Sequence, residues 1–340
     1  MAITLHDVAL RAGVSIKTVS NVVNGYAHVS TATRSRVEQA VAELGYRPNL
    51  SARSMRGGRS GILALAVPEL GVPYFAELAQ SVIRAAEREG FIVLIDQTEG
   101  RLDRERLVCR GIRSQLIDGL IFSPLALDSD ELAARTDSIP MVLLGERVAG
   151  TADHVVIDNI EAARQAVSHL AGLGRTRIAA VGAQYSKMGE TARLRLAGYK
   201  SALADAGLPF RPELVAETPS FHRHDGAAAI TRLIDAGARP DAVFAFNDLT
   251  AIGVLRACYD RGIQVPEDVA VIGFDDLEEG RYAVPALSTI SPDKDFIGQT
   301  AVGLLAERLA HSAQGGSPAK QVIAPYRLEA RESTMGRGKR

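Results

Sequence analysis

The stretch LHDVALRAGVSIKTVSNVVN, residues 5–24, contains two short apolar patterns separated by a glycine. The first pattern has four apolar residues at helical spacing: Leu5, Val8, Ala9 and Ala12. Gly13 then permits a left-handed turn, and Ser15 is a residue type that begins helices. The second pattern has three valines: Val19, Val22 and Val23. Two short helices around a glycine turn predict a helix-turn-helix.

A third helix follows between Ser30, a capping residue type, and Gly45. The three helices leave one polar side of the second helix without an apolar partner: Ile16, Lys17, Thr18, Ser20 and Asn21. In a helix-turn-helix this side enters the major groove of DNA. A plain three-helix bundle with a polar outer side is the alternative, and the helix pattern alone leaves it open.

The chemistry of this side suits base edges. Lys17 can bond guanine O6 and N7, Asn21 can bond adenine N6 and N7, and Ile16 can contact a thymine methyl group. Thr18 and Ser20 are short donors suited to phosphate oxygens. We therefore expect these five residues to contact DNA.

Charge is distributed unevenly along the chain of 340 residues, whose net charge is only −1. Residues 1–60 carry eight lysines and arginines against three acids, and the remainder carries 31 against 37. A basic head on a mildly acidic body suits a polyanion-binding module joined to a second domain, although many solvated surfaces reach such a charge.

Bulk composition excludes several protein classes. The chain is 46% hydrophobic, which predicts a folded globular protein. No apolar run approaches the roughly 20 residues of a membrane span. The first residues resemble no secretion signal, and the two cysteines show no paired spacing, so we expect a cytoplasmic protein.

The body alternates apolar strand-like runs with amphipathic helical runs, which predicts parallel sheets covered on both sides. The strand candidates fall into two groups around residue 160: 62–67, 91–96, 119–123 and 141–145, then 177–183, 214–218, 242–246 and 269–274. We therefore predict two doubly wound α/β lobes with a cleft beyond the carboxyl ends of their strands.

The motifs of common enzyme sites are missing from the sequence. It contains no Walker sequence, no GxGxxG after a strand, no GxSxG and no HExxH. His222 and His224 form an isolated HxH, which is more often a surface loop than a metal site. We expect no enzyme activity, no cofactor and no metal, although an enzyme that uses the cleft remains a competing class.

The head closely resembles the lactose-repressor/galactose-repressor (LacI-type) family of bacterial transcriptional regulators, through DVALRAGVSIKTVSNVVNG and VSTATRSRVEQAVAELGYRPNLSARSM. The resemblance implies that Ile16, Lys17 and Asn21 read bases. It also implies that the basic segment 47–60 is a hinge that folds in the minor groove. There Met55 would insert between base pairs, and Arg53 would contact phosphate. A passive basic tether is the alternative.

The body resembles the sensor of the same family through VPYFAEL, RLRLAGY, AFNDLTAIG, VPEDVAVIGFDD and LSTI. Carried over residue by residue, the implied effector contacts are Tyr74, Phe75, Arg195, Phe221, Asn247 and Asp275. Aromatic rings would stack on a sugar or base, and the charged groups would bond hydroxyls. Each residue has a structural alternative: a core or loop anchor for the aromatic residues, a helix pair for Arg195, and a cap for Asn247 or Asp275.

The predicted organisation is a helix-turn-helix domain at 1–46, a hinge at 47–60 and an effector-binding domain at 61–340. Lobe 1 would comprise about 61–160 and 290–320, and lobe 2 about 161–289 and 321–333. The predicted function is that of a homodimeric repressor on a palindromic operator, controlled by a sugar-like effector. A purine effector, or a solute-binding protein without a DNA role, is the alternative.

Overall fold

The computed structural model of the protein forms two compact units, Met1–Ser60 and Gly61–Arg340. The described residues are 3–23, 26, 28–46, 59–109, 116–135, 139–146, 152–186, 189–311 and 318–336. Most of the predicted hinge, including Arg53 and Met55, therefore lies outside the described residues.

The first unit contains three helices: α1 (Leu5–Ala12), α2 (Ile16–Val23) and α3 (Thr31–Leu44). Thr4 begins α1 with a reciprocal capping box, in which Thr4 and Asp7 each bond the other's backbone amide. Gly13 ends α1 at φ 63°, and the Ser15 Oγ accepts the Thr18 amide at 3.1 Å to begin α2. The helices bury a small apolar core: Val8, Ala9, Ala12, Val19, Val22, Val37, Ala40 and Tyr46.

The second unit contains two six-stranded sheets. The first sheet is entirely parallel, in the order β11-β5-β4-β3-β1-β2. Its strands are β1 (Ile62–Val67), β2 (Ile92–Gln97), β3 (Gly119–Phe122), β4 (Met141–Leu144), β5 (Asp153–Ile157) and β11 (Gln321–Ala324). Strands β1, β3, β4 and β5 are buried along their whole length, which explains the continuous apolar sequences of the first three.

The second sheet repeats this winding in the order β12-β10-β9-β8-β6-β7, with β12 antiparallel to β10. Its strands are β6 (Ile178–Ala183), β7 (Val215–Glu217), β8 (Ala242–Ala245), β9 (Ala270–Phe274), β10 (Ser288–Pro292) and β12 (Tyr326–Glu329). In each sheet the order in which successive strands are added reverses beside the first strand, between β1 and β3 and between β6 and β8. Such reversal points create crevices at the carboxyl ends of parallel strands.

Ten helices cover the described parts of the two sheets. They are α4 (Pro73–Arg88), α5 (Leu102–Cys109), α6 (Ser129–Ala133), α7 (Asn159–Gly172), α8 (Glu190–Asp205), α9 (Arg223–Asp235), α10 (Asp248–Asp260), α11 (Glu278–Arg281), α12 (Lys294–Ala310) and α13 (Glu332–Met335). Helices α4 and α12 pack together, and a Cβ at Gly298 would lie 2.8 Å from the Ser81 carbonyl carbon. We call the first sheet with α4, α5, α6 and α12 lobe 1, and the second sheet with the other helices lobe 2.

The chain crosses between the lobes three times: from β5 to α7, from β10 to α12 and from β11 to β12. This corrects the predicted boundaries. Residues 321–324 pair with β5 in lobe 1 and not in lobe 2, and residues 290–292 belong to lobe 2 because β10 pairs with β9 and β12. A four-residue edge strand such as β11, partly exposed, carries no local pattern that assigns it to one sheet.

Within the described part of the chain, we find no helix with both the length and the apolar composition that crossing a membrane requires.

A buried ion pair joins α12 to the edge of the first sheet. Arg308 donates to both carboxylate oxygens of Asp153, at 2.6 and 2.7 Å, and the Lys320 amide adds a third bond at 2.8 Å. The Asp153 side chain is 1% exposed. Burial raises the pKa of Asp153, but the bonds from Arg308 and Lys320 outweigh that effect and leave the pKa below its ordinary value.

We expect Arg308→Met to lower the free energy of unfolding by about 3 kcal/mol, because the Asp153 charge would stay buried without its cation. Lys320→Met is the matched control. It breaks an exposed pair with Glu307 and should cost less than about 1 kcal/mol. Urea unfolding followed by circular dichroism measures both, since the sequence has no tryptophan. Equal losses in the two variants would contradict the assigned role of Asp153.

Candidate functional site

A cavity of about 370 Å³ lies between the lobes at the carboxyl ends of their strands. Lobe 1 lines it with residues that follow β1, β2, β3 and β4, and lobe 2 with residues that follow β6, β7, β8 and β9. Both chain-reversal points therefore open into one space. This volume falls in the range of small-molecule sites.

All six predicted effector residues line this cavity: Tyr74, Phe75, Arg195, Phe221, Asn247 and Asp275. Tyr74 and Phe75 occupy the first turn of α4, with ring centroids 5.3 Å apart and planes at 77°. Burial raises the pKa of Tyr74, and the nearby charges of Asp275 and Glu146 raise it further. The Tyr74 hydroxyl is therefore a neutral hydrogen-bonding group next to the charged end of the cavity.

Arg195, on α8, is 5% exposed, and residues of lobe 2 fix its side chain on several sides. Its Nε donates to Asn159 Oδ1 at 2.8 Å, and its Nη1 donates to the carbonyl oxygen of Phe246. Its guanidinium carbon lies 3.5 Å from the centroid of the Phe274 ring. Burial lowers the pKa of Arg195, while the charges of Asp275 and Glu146 oppose that shift. Arg195 is thus a preoriented cation whose remaining donors are available to a ligand.

Asp275 follows β9 and is 7% exposed. Its backbone has φ 117°, a conformation rare for residues with a Cβ, and its amide donates to the Ile290 carbonyl at 2.8 Å. Among the described residues, none donates a hydrogen bond to its carboxylate. Burial raises the pKa of Asp275 to about 7, against the lowering effect of Arg195. The site therefore contains a buried acceptor that has not been satisfied by the fold.

The neighbouring Asp276 is in the opposite situation. Its carboxylate accepts bonds from Arg281 at 2.7 Å, Arg331 at 2.6 Å and Ser291 at 2.9 Å. Burial alone would raise the pKa of Asp276, but these bonds lower it to about 2. Asp276 therefore fixes the loop after β9, and Asp275 is the residue left to face the cavity.

Asn247 is largely occupied by the fold. Its Oδ1 accepts the Thr250 amide at 2.9 Å and so caps α10, and its Nδ2 donates to the Phe221 carbonyl at 3.1 Å. The alternative role expected for Asn247, that of a helix cap, is therefore present in the structure. The same bonds fix the loop that carries Phe221 at the cavity.

Sequence reasoning missed three residues that join the lobes beside the cavity. Glu146, after β4 in lobe 1, accepts bonds from Asn159 Nδ2 and, at 3.0 Å, from the Thr191 hydroxyl, both in lobe 2. An acid directly after a buried strand was a signal available for Glu146. Asn159 carried no such signal, because an Asn at a helix start reads as a local capping residue.

Further polar contacts cross between the lobes, among them the bond from the Glu278 amide to Glu77 at 3.4 Å. Lys294 pairs with Glu77 at 2.6 Å in lobe 1 and donates to the Asp276 carbonyl at 3.2 Å in lobe 2. At another side of the cavity, Glu69 of lobe 1 lies 3.4 Å from His222 of lobe 2. These contacts tie the positions of the lobes to the loops that line the cavity.

The outward side of α2 is the second candidate surface. Ile16 is 40% exposed and Lys17 is exposed, whereas Thr18, Ser20 and Asn21 are half-buried. The Thr18 hydroxyl shares a 2.9 Å bond with Ser15 Oγ, so it also belongs to the cap of α2. None of these five residues belongs to the buried core of the first unit.

Comparisons with known proteins match both units. Residues 4–49 match the family described as bacterial regulatory proteins, lacI family. Residues 167–334 match the periplasmic binding protein-like domain.

Three relatives are similar over most of their lengths, each at 34% identity. The transcriptional regulator DegA of Bacillus subtilis matches over 98% of both chains. The repressor PurR of Aliivibrio fischeri matches over 90% of this chain and 91% of its own. The ribose operon repressor of Escherichia coli matches over 90% of this chain and 93% of its own.

Solved structures agree with these relatives. A LacI-family regulator from Sanguibacter keddieii is 45% identical, with a TM-score of 0.76 over 82% of this chain and 100% of its own. The CelR–cellobiose complex is 31% identical, with a TM-score of 0.72 over 97% and 99%. The lac repressor dimer bound to operator is 29% identical, with a TM-score of 0.83 over 98% and 99%.

We expect Asp275→Asn to raise the free energy of unfolding at pH 8 by about 1 kcal/mol, because burial disfavours the charge of this carboxylate more strongly than Arg195 favours it. The folded pKa of about 7 lies above the ordinary 3.8, so the wild type loses stability from this group as pH rises between those values. The gain should therefore shrink at pH 5. Circular dichroism during urea unfolding measures it at both pH values.

Asp276→Asn is the matched control, since Asp276 is also buried and also has a positive φ. It should lose about 3 kcal/mol, because Arg281 and Arg331 would lose their partner. A loss of stability in Asp275→Asn at pH 8, comparable to that in Asp276→Asn, would show that Asp275 is structural.

Proposed function

The chain belongs to the lacI family of bacterial regulatory proteins, and we propose that it is a repressor whose affinity for operator DNA is set by a sugar-like effector in the interlobe cavity. It is a DNA-binding transcriptional regulator, as its family membership implies. The observation that supports the effector site is the convergence of six residues, far apart in the sequence, on one cavity with a fixed cation and an unpaired carboxylate.

The DNA-binding part of the proposal rests on α2. Ile16, Lys17 and Asn21 would read base edges, while Thr18 and Ser20 would contact the backbone. A single helix of this length reaches only a few base pairs, so specific affinity requires two copies on a palindromic site. We assign Arg53 to phosphate contact and Met55 to the minor-groove wedge, as the family resemblance implies.

The effector-binding part rests on complementary groups. Asp275 accepts bonds from hydroxyls, Arg195 donates them, and Tyr74, Phe75 and Phe221 provide apolar surface for a ring. A sugar supplies many donors and an apolar ring side, which fits this set. A purine base is the second candidate, because aromatic side chains from both lobes flank the cavity. The names of the ribose operon repressor and PurR illustrate the two possibilities.

Coupling between the sites would proceed through the lobes. Asn159 bonds Glu146 of lobe 1 and Arg195 of lobe 2, so a ligand that engages Arg195 acts on a contact between lobes. Any change in the lobe arrangement would reposition the segment that precedes Gly61 and, with it, the DNA-binding helices. A coupling free energy of about 1–3 kcal/mol is typical of such systems.

We infer that the protein is a regulator and not an enzyme. Its relatives are transcriptional regulators, and the groups around the cavity suit binding: one fixed cation, carboxylates and aromatic rings. Its partners would be double-stranded operator DNA, a small effector and a second copy of the chain. Its place of action would be the cytoplasm, where the bacterial chromosome lies.

A melting-temperature screen identifies the effector. The full chain is heated with ribose, glucose, cellobiose, adenine and hypoxanthine in turn, and a ligand at 100 times its Kd should stabilise it by about 2.7 kcal/mol. Stabilisation by a sugar supports the first candidate, and stabilisation by a base alone supports the second.

The DNA-binding assignment is tested on an operator selected from a random duplex library by the full chain. We expect a palindromic motif, with Lys17→Ala and Asn21→Ala each losing about 1–3 kcal/mol of discrimination at one symmetric pair of positions. Arg256→Ala, which removes an exposed cation of lobe 2, is the control and should leave the motif unchanged. Failure of the dimer to enrich any motif would reject the regulator.

Arg195→Gln should lose the response to the effector found in the screen, because the glutamine cannot replace both the guanidinium contacts and their charge. Operator affinity is titrated with and without the effector by fluorescence anisotropy. A ratio of the two affinities equal to that of the wild type would show that Arg195 has no part in effector binding.

A further inference from the structure

Three charged side chains line the cavity, and we call them together its charged end: Glu146 from lobe 1, and Arg195 and Asp275 from lobe 2. Glu146 and Asp275 both act electrostatically on Arg195 and on Tyr74, which places all three charges in one region. Above pH 7, where Asp275 is ionised, two carboxylates against one guanidinium leave an excess negative charge there.

The hydrogen bonds of these groups do not cancel that charge. Glu146 accepts bonds only from the neutral Asn159 and Thr191 among the described residues, and Asp275 receives none. Arg195 already uses two of its five N–H groups on Asn159 and Phe246. The charged end therefore offers a ligand more hydrogen-bond acceptors than donors.

The other residues that line the cavity do not make its net charge positive. Two of its acids already have arginine partners, since Glu99 lies 2.6 Å from Arg104 and Glu190 pairs with Arg193. A third, Glu69, lies 3.4 Å from the His222 ring. Among the described residues that line the cavity, Arg195 and His222 are the basic ones. Acids also stand in the first turns of α8 and α10, where an anion would otherwise be favoured.

We propose that Glu146, together with Asp275, makes this cavity select an uncharged, hydroxyl-bearing effector and reject the phosphorylated or carboxylated form of the same molecule. The inference rests on the proposed function and narrows it to one class of ligand. Glu146 is the new element, as a residue of lobe 1 that determines specificity by charge.

The physical basis is the cost of an anion beside the buried carboxylate of Asp275 and the half-buried carboxylate of Glu146. Hydroxyl groups can donate to Glu146 and Asp275 while they accept from Arg195, so a neutral polyol satisfies all three. A phosphate or carboxylate would satisfy Arg195 alone, and it would lose water while facing two like charges. We expect the neutral member of a matched pair to bind at least about tenfold more tightly.

The first experiment compares matched pairs by melting temperature at pH 8, where Asp275 is ionised, and at constant ionic strength. The pairs are ribose with ribose 5-phosphate, glucose with glucose 6-phosphate and with gluconate, and adenosine with adenosine monophosphate. Stabilisation by neutral members alone supports the proposal. Saturable stabilisation of the wild type by an anionic member beyond its neutral partner, abolished in Arg195→Gln, overturns it.

The second experiment needs no identified effector, because inorganic phosphate is the probe. The wild type should show no saturable stabilisation by phosphate relative to chloride. The double variant Glu146→Gln/Asp275→Asn leaves Arg195 as the uncompensated charge, so its phosphate affinity should rise at least about tenfold. Glu307→Gln, which removes an exposed acid far along α12, is the matched control and should behave as the wild type.

The double variant also tests the proposal if none of the matched compounds in the first experiment binds. If it gains phosphate affinity, the two carboxylates are the charge filter. If it gains none, or if the wild type binds phosphate saturably through Arg195, the proposal is wrong. Both readouts come from the cavity alone, so failure to bind operator would reject the regulatory function without deciding this inference.

Discussion

The buried guanidinium of Arg195 is the group on which the arrangement of the cavity depends. A cation removed from water requires counter-charges and hydrogen bonds, and here they come from several parts of the fold. Lobe 2 supplies the Phe246 carbonyl and the Phe274 ring, and Asn159 adds an acceptor beside a crossing segment. Asp275 supplies a counter-charge that forms no bond of its own to the described residues. The charge of Arg195 is therefore stabilised while part of its bonding capacity remains unused.

The loop after β9 makes that arrangement possible at a local cost. Asp275 and Asp276 have φ values of 117° and 51°, which residues with a Cβ adopt rarely. A Cβ at the preceding Gly273 would lie 2.2 Å from Asp248 Oδ1, so that position has no room for a side chain. The arginines on Asp276 hold the turn, and the Asp275 carboxylate accepts no hydrogen bond within the described part of the chain. Two adjacent aspartates thus divide the structural and the binding roles between them.

Most of the local structure was predictable from the sequence, but the buried strand β5 (Asp153–Ile157) was not among the predicted strands. The α1–α2 turn follows from Gly13 and the capping Ser15, and the class of two doubly wound lobes is confirmed. The grouping of the effector residues was predictable because strand ends of parallel sheets converge, and the family resemblance selected among the candidates.

What escaped prediction depends on contacts between distant segments. Residues 321–324 could join either sheet, since partner choice for a short edge strand is made by the rest of the fold. Glu146 and Asn159 are adjacent only because the two lobes face each other, and the double use of Asn247 requires the loop that carries Phe221. Periodicity reports how one segment is buried, but it does not report which remote side chain lies opposite.

The three crossing segments and the polar contacts between the lobes determine how a bound ligand can change the arrangement of the lobes. The contacts of Glu146, of Lys294 with Glu77, and of Glu69 with His222 are short-range and lie at the cavity or beside it. A ligand that donates to Glu146 competes with Asn159 and Thr191 for the same oxygens, or shares them. In the first case the ligand would break contacts between the lobes, and in the second it would keep them, so one cavity is compatible with either sign of response. The sign of the response follows from which arrangement of the lobes the ligand binds more tightly. Asn159 contacts Glu146, Arg195 and the Ile157 carbonyl of its own crossing segment, so its hydrogen bonds differ between two such arrangements.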